Sequence, residues 1–205
     1  GDDRVVHELV WQADEEARME RSPHRRFFKM RIDGEVEATR SLRQRRRLSC
    51  CDAMVMVHLA RVDPGALVVD PFAGIGGIVQ EARLLGLAPI CGDIDAALAP
   101  GLREVSAGRA AIWDATALPL PNDCADGVVT EPPYADELHA DVLAAMPEIA
   151  RILKPTAPAV ILLNEEMADE PLEGADHAGL SLGKQYAVHR AGGMTARLVV
   201  MSADG

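Results

Sequence analysis

Four acids in this 205-residue chain stand at the same kind of place. Asp70, Asp93, Asp114 and Glu131 each close a short apolar, β-type run: Leu67-Val68-Val69, Ala88 to Gly92, Ala110 to Trp113, and Gly127-Val128-Val129-Thr130. A merely solvated acid has no reason to choose the carboxyl end of a strand every time, whereas a ligand site built along that edge of a sheet does. Behind Asp70 comes Pro71-Phe72-Ala73-Gly74-Ile75-Gly76-Gly77, a turn whose glycines let the backbone approach a ligand closely. Behind Glu131 comes Pro132-Pro133-Tyr134, the same shape with different chemistry at its end.

These acids work together only if their strands lie side by side. From Ser49 onward strand-like and helix-like stretches alternate, the signature of a parallel sheet with helices on both faces. Expected strands are Ala66 to Asp70, Ala88 to Gly92, Ala110 to Trp113, Gly127 to Thr130 and Ala159 to Leu163. Expected helices are Ala53 to Arg61, capped by Asp52 and packing through Met54, Val57, His58 and Leu59; Ile78 to Leu85, stopped by Gly86; and Leu138 to Leu153, which contains Pro147. Lys184 to Arg190 and Thr195 to Met201, around Ala191-Gly192-Gly193-Met194, read as an antiparallel hairpin. Asn164 to Gly183 reads as an acidic loop long enough to be a substrate lid. Upstream, Val5 to Glu20 has the spacing of a surface helix, and Phe27 to Gly34 reads as an extended stretch and turn. The chain thus divides into an accessory segment, 1–48, and a catalytic domain, 49–205.

The glycine turn alone would serve a tight turn equally well. An acid at the end of the second strand is placed to accept from two ribose hydroxyls, and together the two features suit a cofactor containing a nucleoside. A dinucleotide fold would want Gly-x-Gly-x-x-Gly facing a pyrophosphate, but counting from Gly74 the third glycine is replaced by Val79. S-adenosylmethionine carries an ammonium and a sulfonium and no phosphate, so a site lined with acids suits it better.

Asp70 to Gly77, Gly92-Asp93-Ile94-Asp95, Trp113-Asp114-Ala115-Thr116-Ala117-Leu118-Pro119-Leu120-Pro121 and Thr130-Glu131-Pro132-Pro133-Tyr134 resemble, in order, the motifs of class I S-adenosylmethionine-dependent methyltransferases. Within that superfamily the chain is most similar to the RNA guanine-N2 methyltransferases that often carry a THUMP domain. The resemblance implies a Rossmann-like fold, a mostly parallel seven-stranded sheet ending in an antiparallel hairpin. It implies that Asp70, Phe72, Ala73, Gly74 and Gly76 hold the methionine part, Asp93 the ribose with Ile94 beside it, and Asp114 with Ala115 the adenine. It further implies that Glu131 and the Pro132 carbonyl accept from an exocyclic amine while Tyr134 packs on the base. Hydrogen bonds from the amine protons to two acceptors help localise its lone pair toward the methyl donor, so a dedicated strong base is not needed. In the families this chain resembles the position is usually Asp, or Asn or Ser in the DNA adenine enzymes, where this chain has Glu131, and the extra methylene shifts the carboxylate by about one bond length.

Charge bears on the acceptor. Residues 49–205 carry nine basic against 22 acidic side chains, a net of −13, while residues 1–48 carry 12 against ten, a net of +2. Arg43, Arg45, Arg46 and Arg47 form a basic collar that is either a solvated linker or a phosphate-contacting patch for RNA. The 48 residues before the catalytic part are too few for a THUMP domain, and the acids after Glu131 disfavour a polyanion. Three readings stand: methylation of an RNA base amine, methylation of a small amine or nucleoside, and a partner subunit that keeps the fold without catalysis. Cys50, Cys51, Cys91 and Cys124 form no Cys-x-x-Cys pair and have no His at ligand spacing, so no metal site and reduced thiols are expected. No run approaches the roughly 18–20 apolar residues of a membrane span and the N-terminus is acidic where a signal peptide would be basic, so a cytoplasmic protein is expected.

Overall fold

In a computed structural model the chain separates into two units, residues 1–9 with 48–205 and residues 10–47. The structure describes residues 6–9, 48–190 and 194–204, all within the first unit. The upstream extended stretch, the basic collar, most of the expected Val5 to Glu20 helix and the Ala191-Gly192-Gly193 turn lie outside the described residues.

The strands are β1 (Val6–Leu9), β2 (Leu67–Asp70), β3 (Ala88–Asp93), β4 (Ala110–Ile112), β5 (Gly127–Thr130), β6 (Pro158–Asn164), β7 (Leu180–His189) and β8 (Thr195–Ala203). They form one sheet in the order β1-β7-β8-β6-β5-β2-β3-β4, and only β8 runs against the rest. The expected seven-stranded sheet and antiparallel hairpin are present. An eighth strand, β1, adds in parallel to the β7 edge, so Val6–Leu9 is strand and not the start of a surface helix; apolar spacing along four residues suits either, and pairing with β7 decides it.

The helices are α1 (Cys50–Ala60), α2 (Gly77–Leu84), α3 (Ala99–Val105), α4 (His139–Ile152) and α5 (Asp169–His177). Alternate residues of the central strands face opposite layers. Val69, Val128 and Ile161 pack with Val142, Met146 and Ile149 of α4 and Leu172 of α5. Val68, Val129 and Leu162 pack with Met56 and Val57 of α1 and Ile78 of α2. Burial on both faces is why these strands read as continuous apolar runs.

Two expectations need correction. Ser49, not Asp52, caps α1: its hydroxyl accepts from the Asp52 amide at 3.0 Å, so Asp52 lies in the first turn with its carboxylate available elsewhere. The buried face is Ala53, Met56, Val57 and Ala60, while Met54 and His58 are exposed. Second, Asn164 to Gly183 is not a loop: a short 3-10 turn, Glu165–Met167, leads into α5, whose Pro171, Leu172 and Ala175 are buried. It belongs to the scaffold. Among the described residues no helix is long and apolar enough to cross a membrane.

Candidate active site

The strand order reverses between β2 and β5, and the two outgoing chains meet there. The Thr130 hydroxyl at the end of β5 donates to Asp70 Oδ1 at 2.8 Å and accepts from the Phe72 amide at 3.3 Å. Asp70 is only 2% exposed. Burial drives its carboxyl up to about 7, opposed by the Thr130 and Phe72 hydrogen bonds and reinforced by the charges of Asp93 and Glu131. A carboxylic acid poised near neutrality, facing two further acids, is a place prepared for positive charge.

Asp93 organises the glycine turn. Its Oδ2 accepts from the Gly74 amide at 2.9 Å and its Oδ1 from the Asp95 amide at 3.0 Å, while the Ala73 amide donates to the Gly92 carbonyl at 3.0 Å. Gly76 starts α2 with φ +84°, and a Cβ there would lie 2.7 Å from Val105 of α3, so glycine is needed for both conformation and space. Gly92 is crowded by Trp113, whose indole lies over it and donates to the Pro71 carbonyl at 3.0 Å. That hydrogen bond ties the start of the glycine turn to the end of β4. Beside Asp93, Ile94 is 72% exposed, an apolar side chain left at the rim.

Asp114 is exposed, and both its hydrogen bonds, from the Thr116 amide at 2.9 Å and hydroxyl at 2.7 Å, fall on Oδ1. They hold its carboxyl below the usual range. Oδ2 has no partner among the described residues, and Ala115 behind it is buried. The following turn is held from α4: Arg151 makes two hydrogen bonds to Glu148 and donates to the Leu118 and Leu120 carbonyls and to Asn122. Glu148 in turn accepts from the Leu118 amide at 2.8 Å.

At the end of β5, Glu131 Oε1 accepts from the Tyr134 hydroxyl at 2.7 Å and pairs with Arg190 Nη1 at 2.7 Å. Arg190, from the end of β7, also reaches Asp52 of α1 at 3.2 Å, and its guanidinium carbon lies 5.7 Å from the Tyr134 ring centre. Burial, then the charge of Glu131, push the Tyr134 phenol above its ordinary range, so it stays a donor. Burial opposes the charge on Arg190, but Glu131, Tyr134 and Asp52 together outweigh it and raise its pKa. Pro132, between Glu131 and Tyr134 in the chain, is buried.

With this geometry in view, relatives can be placed beside it. No family model matches the chain. It is 38% identical over 88 residues to a tRNA (guanine(10)-N2)-dimethyltransferase of Methanothermobacter thermautotrophicus, covering 40% of this chain and 26% of that protein. It is 29% identical over 143 residues to the U6 snRNA (guanine-N(2))-methyltransferase THUMPD2 of Mus musculus, covering 63% and 26%. The crystal structure of TrmN from Thermus thermophilus superposes with a TM-score of 0.64 at 25% identity, over 76% of this chain and 49% of that one. The chain has the class I methyltransferase fold and is related to the RNA guanine-N2 methyltransferases. It spans about a quarter of the length of these two curated relatives.

In this class I fold the expected site residues fall into two groups on one edge of the sheet. Asp70 and Phe72 meet through Thr130, Asp93 holds Gly74, and the Gly76 amide donates to the Ala73 carbonyl at 2.7 Å, with Ile94, Asp114 and Ala115 alongside; Glu131, Pro132 and Tyr134 stand at the neighbouring strand end. Arg43, Arg45, Arg46 and Arg47 are outside the described residues. Sequence reasoning gives no part in the site to Thr130, Asp52, Arg151 or Arg190. Thr130 had a local signal, a hydroxyl one residue before the expected acceptor motif. The acids beyond β6 are partly neutralised: Arg197 of β8 binds Glu165 and, at 2.7 Å, Asp169, and His139 meets Glu170 at 2.8 Å. The Cys91 thiol is buried below the glycine turn, and burial pushes it up to about 12, which leaves it inert.

Proposed function

We propose that this chain is an S-adenosylmethionine-dependent N-methyltransferase whose acceptor is an exocyclic base amine of RNA, in the manner of guanine N2. The observation that carries the proposal is the row of carboxylates at the strand reversal, with Asp93 holding the glycine turn and Asp70 held near neutrality by burial. The donor set fits this cofactor: acids suit its ammonium and sulfonium, and Asp70 and Asp93 stand at the glycine turn where a pyrophosphate would be repelled. Asp70 and the 73–77 turn would hold the methionyl end, Asp93 the ribose, Asp114 Oδ2 the adenine amine, and Ile94 a face of the adenine ring.

When bound, the cofactor supplies an electrophilic methyl group. The residues of this chain do the rest: Glu131 and the Pro132 carbonyl accept from the acceptor amine and orient its lone pair, and Tyr134 packs on the base. The amine proton leaves to solvent after transfer, since it is acidic once the nitrogen carries the fourth bond and a positive charge. Arg43, Arg45, Arg46 and Arg47 would contact phosphates, and the reduced thiols fit a cytoplasmic setting. A second reading, a small cationic or neutral amine as acceptor, is favoured by the acids Asp136, Glu137 and Glu173 on the exposed surface.

Calorimetry with S-adenosylmethionine, using Asp93→Ala as control, should show binding by the natural chain and loss in the variant; no heat with either sinks the proposal and leaves a non-catalytic fold. Labelled methyl transfer into bulk tRNA, set against a panel of small amines, decides the acceptor class. If replacing Arg43, Arg45, Arg46 and Arg47 with Ala leaves RNA affinity and its salt slope unchanged, the basic collar has no part in binding.

A further inference from the structure

Arg190 is a side chain that stability alone does not explain. Its guanidinium is drawn into a half-buried cluster by Glu131 and Asp52, and its Nε is buried with no hydrogen-bond partner among the described residues. A buried donor left unused is a cost, and native structures carry few of them. What Arg190 accomplishes is local and specific. Arg190 Nη1 and the Tyr134 hydroxyl both bind the same oxygen of Glu131, Oε1. Oε2 has no partner among the described residues.

Glu131 has one more rotatable bond than an aspartate would have here, so an untethered carboxylate would sweep a wider arc. Two donors on Oε1 remove that freedom and present Oε2 as the remaining acceptor. We propose that Arg190 is the positioning residue of the acceptor site: by clamping Oε1 it holds the longer glutamate side chain in one orientation, and Asp52 orients Arg190 in turn. This rests on Glu131 being the amine acceptor. The clamp is specific to glutamate. Shortening the side chain by one methylene withdraws the carboxylate by about 1.5 Å, which takes it out of hydrogen-bond range of Nη1.

The test is a double-mutant cycle with a readout that needs no turnover. With Glu131 in place, Arg190→Met should lower the kcat of methyl transfer about 30-fold, since displacements near 1 Å cost about that order, and leave the dissociation constant of S-adenosylmethionine within about twofold. Arg190→Lys should recover most of the loss, because an ammonium still reaches Oε1. In the Glu131→Asp background, adding Arg190→Met should change kcat less than about threefold. Independently, amide exchange at Glu131, Tyr134 and Ala135 should quicken at least about tenfold in Arg190→Met while α4 is unchanged. Equal losses in both backgrounds, or unaltered exchange at these amides, overturn the proposal. If the natural chain transfers methyl to no acceptor, the functional reading falls, and the exchange measurement alone still decides whether Arg190 orders Glu131.

Discussion

Replacing Asp70 with Asn should stabilise this protein in a way that depends on pH. Asp70 is 2% exposed, and its carboxyl titrates at about 7 in the folded chain against 3.8 for an unperturbed aspartate, chiefly because burial disfavours the charge. Below about pH 3.8 both folded and unfolded chains hold the proton, and the group is neutral in the balance. Between the two values the unfolded chain releases its proton while the folded chain keeps it, so stability falls as pH rises, by about 1.4 kcal/mol per unit. Above the folded value the loss levels off at about 4 kcal/mol. The side-chain amide introduced by Asp70→Asn would keep an oxygen for the Thr130 hydroxyl and has no charge to bury. The advantage of this variant in urea denaturation should therefore grow by about 2–3 kcal/mol between pH 5 and pH 8. A difference that stays flat over that range refutes the reasoning. The same variant should lose the pH dependence of cofactor binding. In the natural chain, affinity should strengthen from pH 5.5 to pH 8 as Asp70 ionises against a cation, with a slope approaching one proton.

Gly92→Ala should cost about 2–3 kcal/mol in chemical denaturation, because the new Cβ would sit 2.5 Å from the Trp113 ring and 2.7 Å from the Ala111 carbonyl oxygen, which is backbone and cannot swing away. Arg151→Leu should release the turn after Asp114 and weaken S-adenosylmethionine by about tenfold, measured by calorimetry, since a supporting shell fixes its contacting group. Arg197→Met should lower stability by about 1–2 kcal/mol, between the ranges for exposed and buried pairs, because it strands Glu165 beside Asp169; thermal melting at moderate salt measures it.

The sheet and the row of acids and glycines along its edge are legible in the sequence because their signals are local. An apolar run, an acid and a glycine turn occupy a short stretch of chain, and strands buried on both faces announce themselves. What escaped reading depended on context. In α5, Asp-Glu-Pro-Leu-Glu-Gly looks like a loop, yet Pro171 falls in the first turn, where its missing N–H costs nothing, and Asp169 and Glu170 favour the positive end of the helix. α3 hides in the sequence for the same reason, with Pro100 in its first turn and Gly101 behind it. The α1 cap could have been read, since Ser49 precedes an acid by three residues. The cluster around Glu131 could not: Asp52 and Arg190 are 138 residues apart, and only the folded sheet brings them to Glu131.

The place of β8 has a consequence for how the protein is made. The last strand of the sheet inserts between β6 and β7, so β7 and β1 have no sheet to join until β8 has left the ribosome. The half of the edge formed by β2 to β5 can assemble during synthesis, with Asp70, Asp93 and Thr130 already in place. Arg190 reaches Glu131 only afterwards. A nascent chain stalled before Thr195 should therefore hold the Asp93-bound glycine turn and the Glu131–Tyr134 pair while still lacking the Arg190 contacts to Glu131 and Asp52.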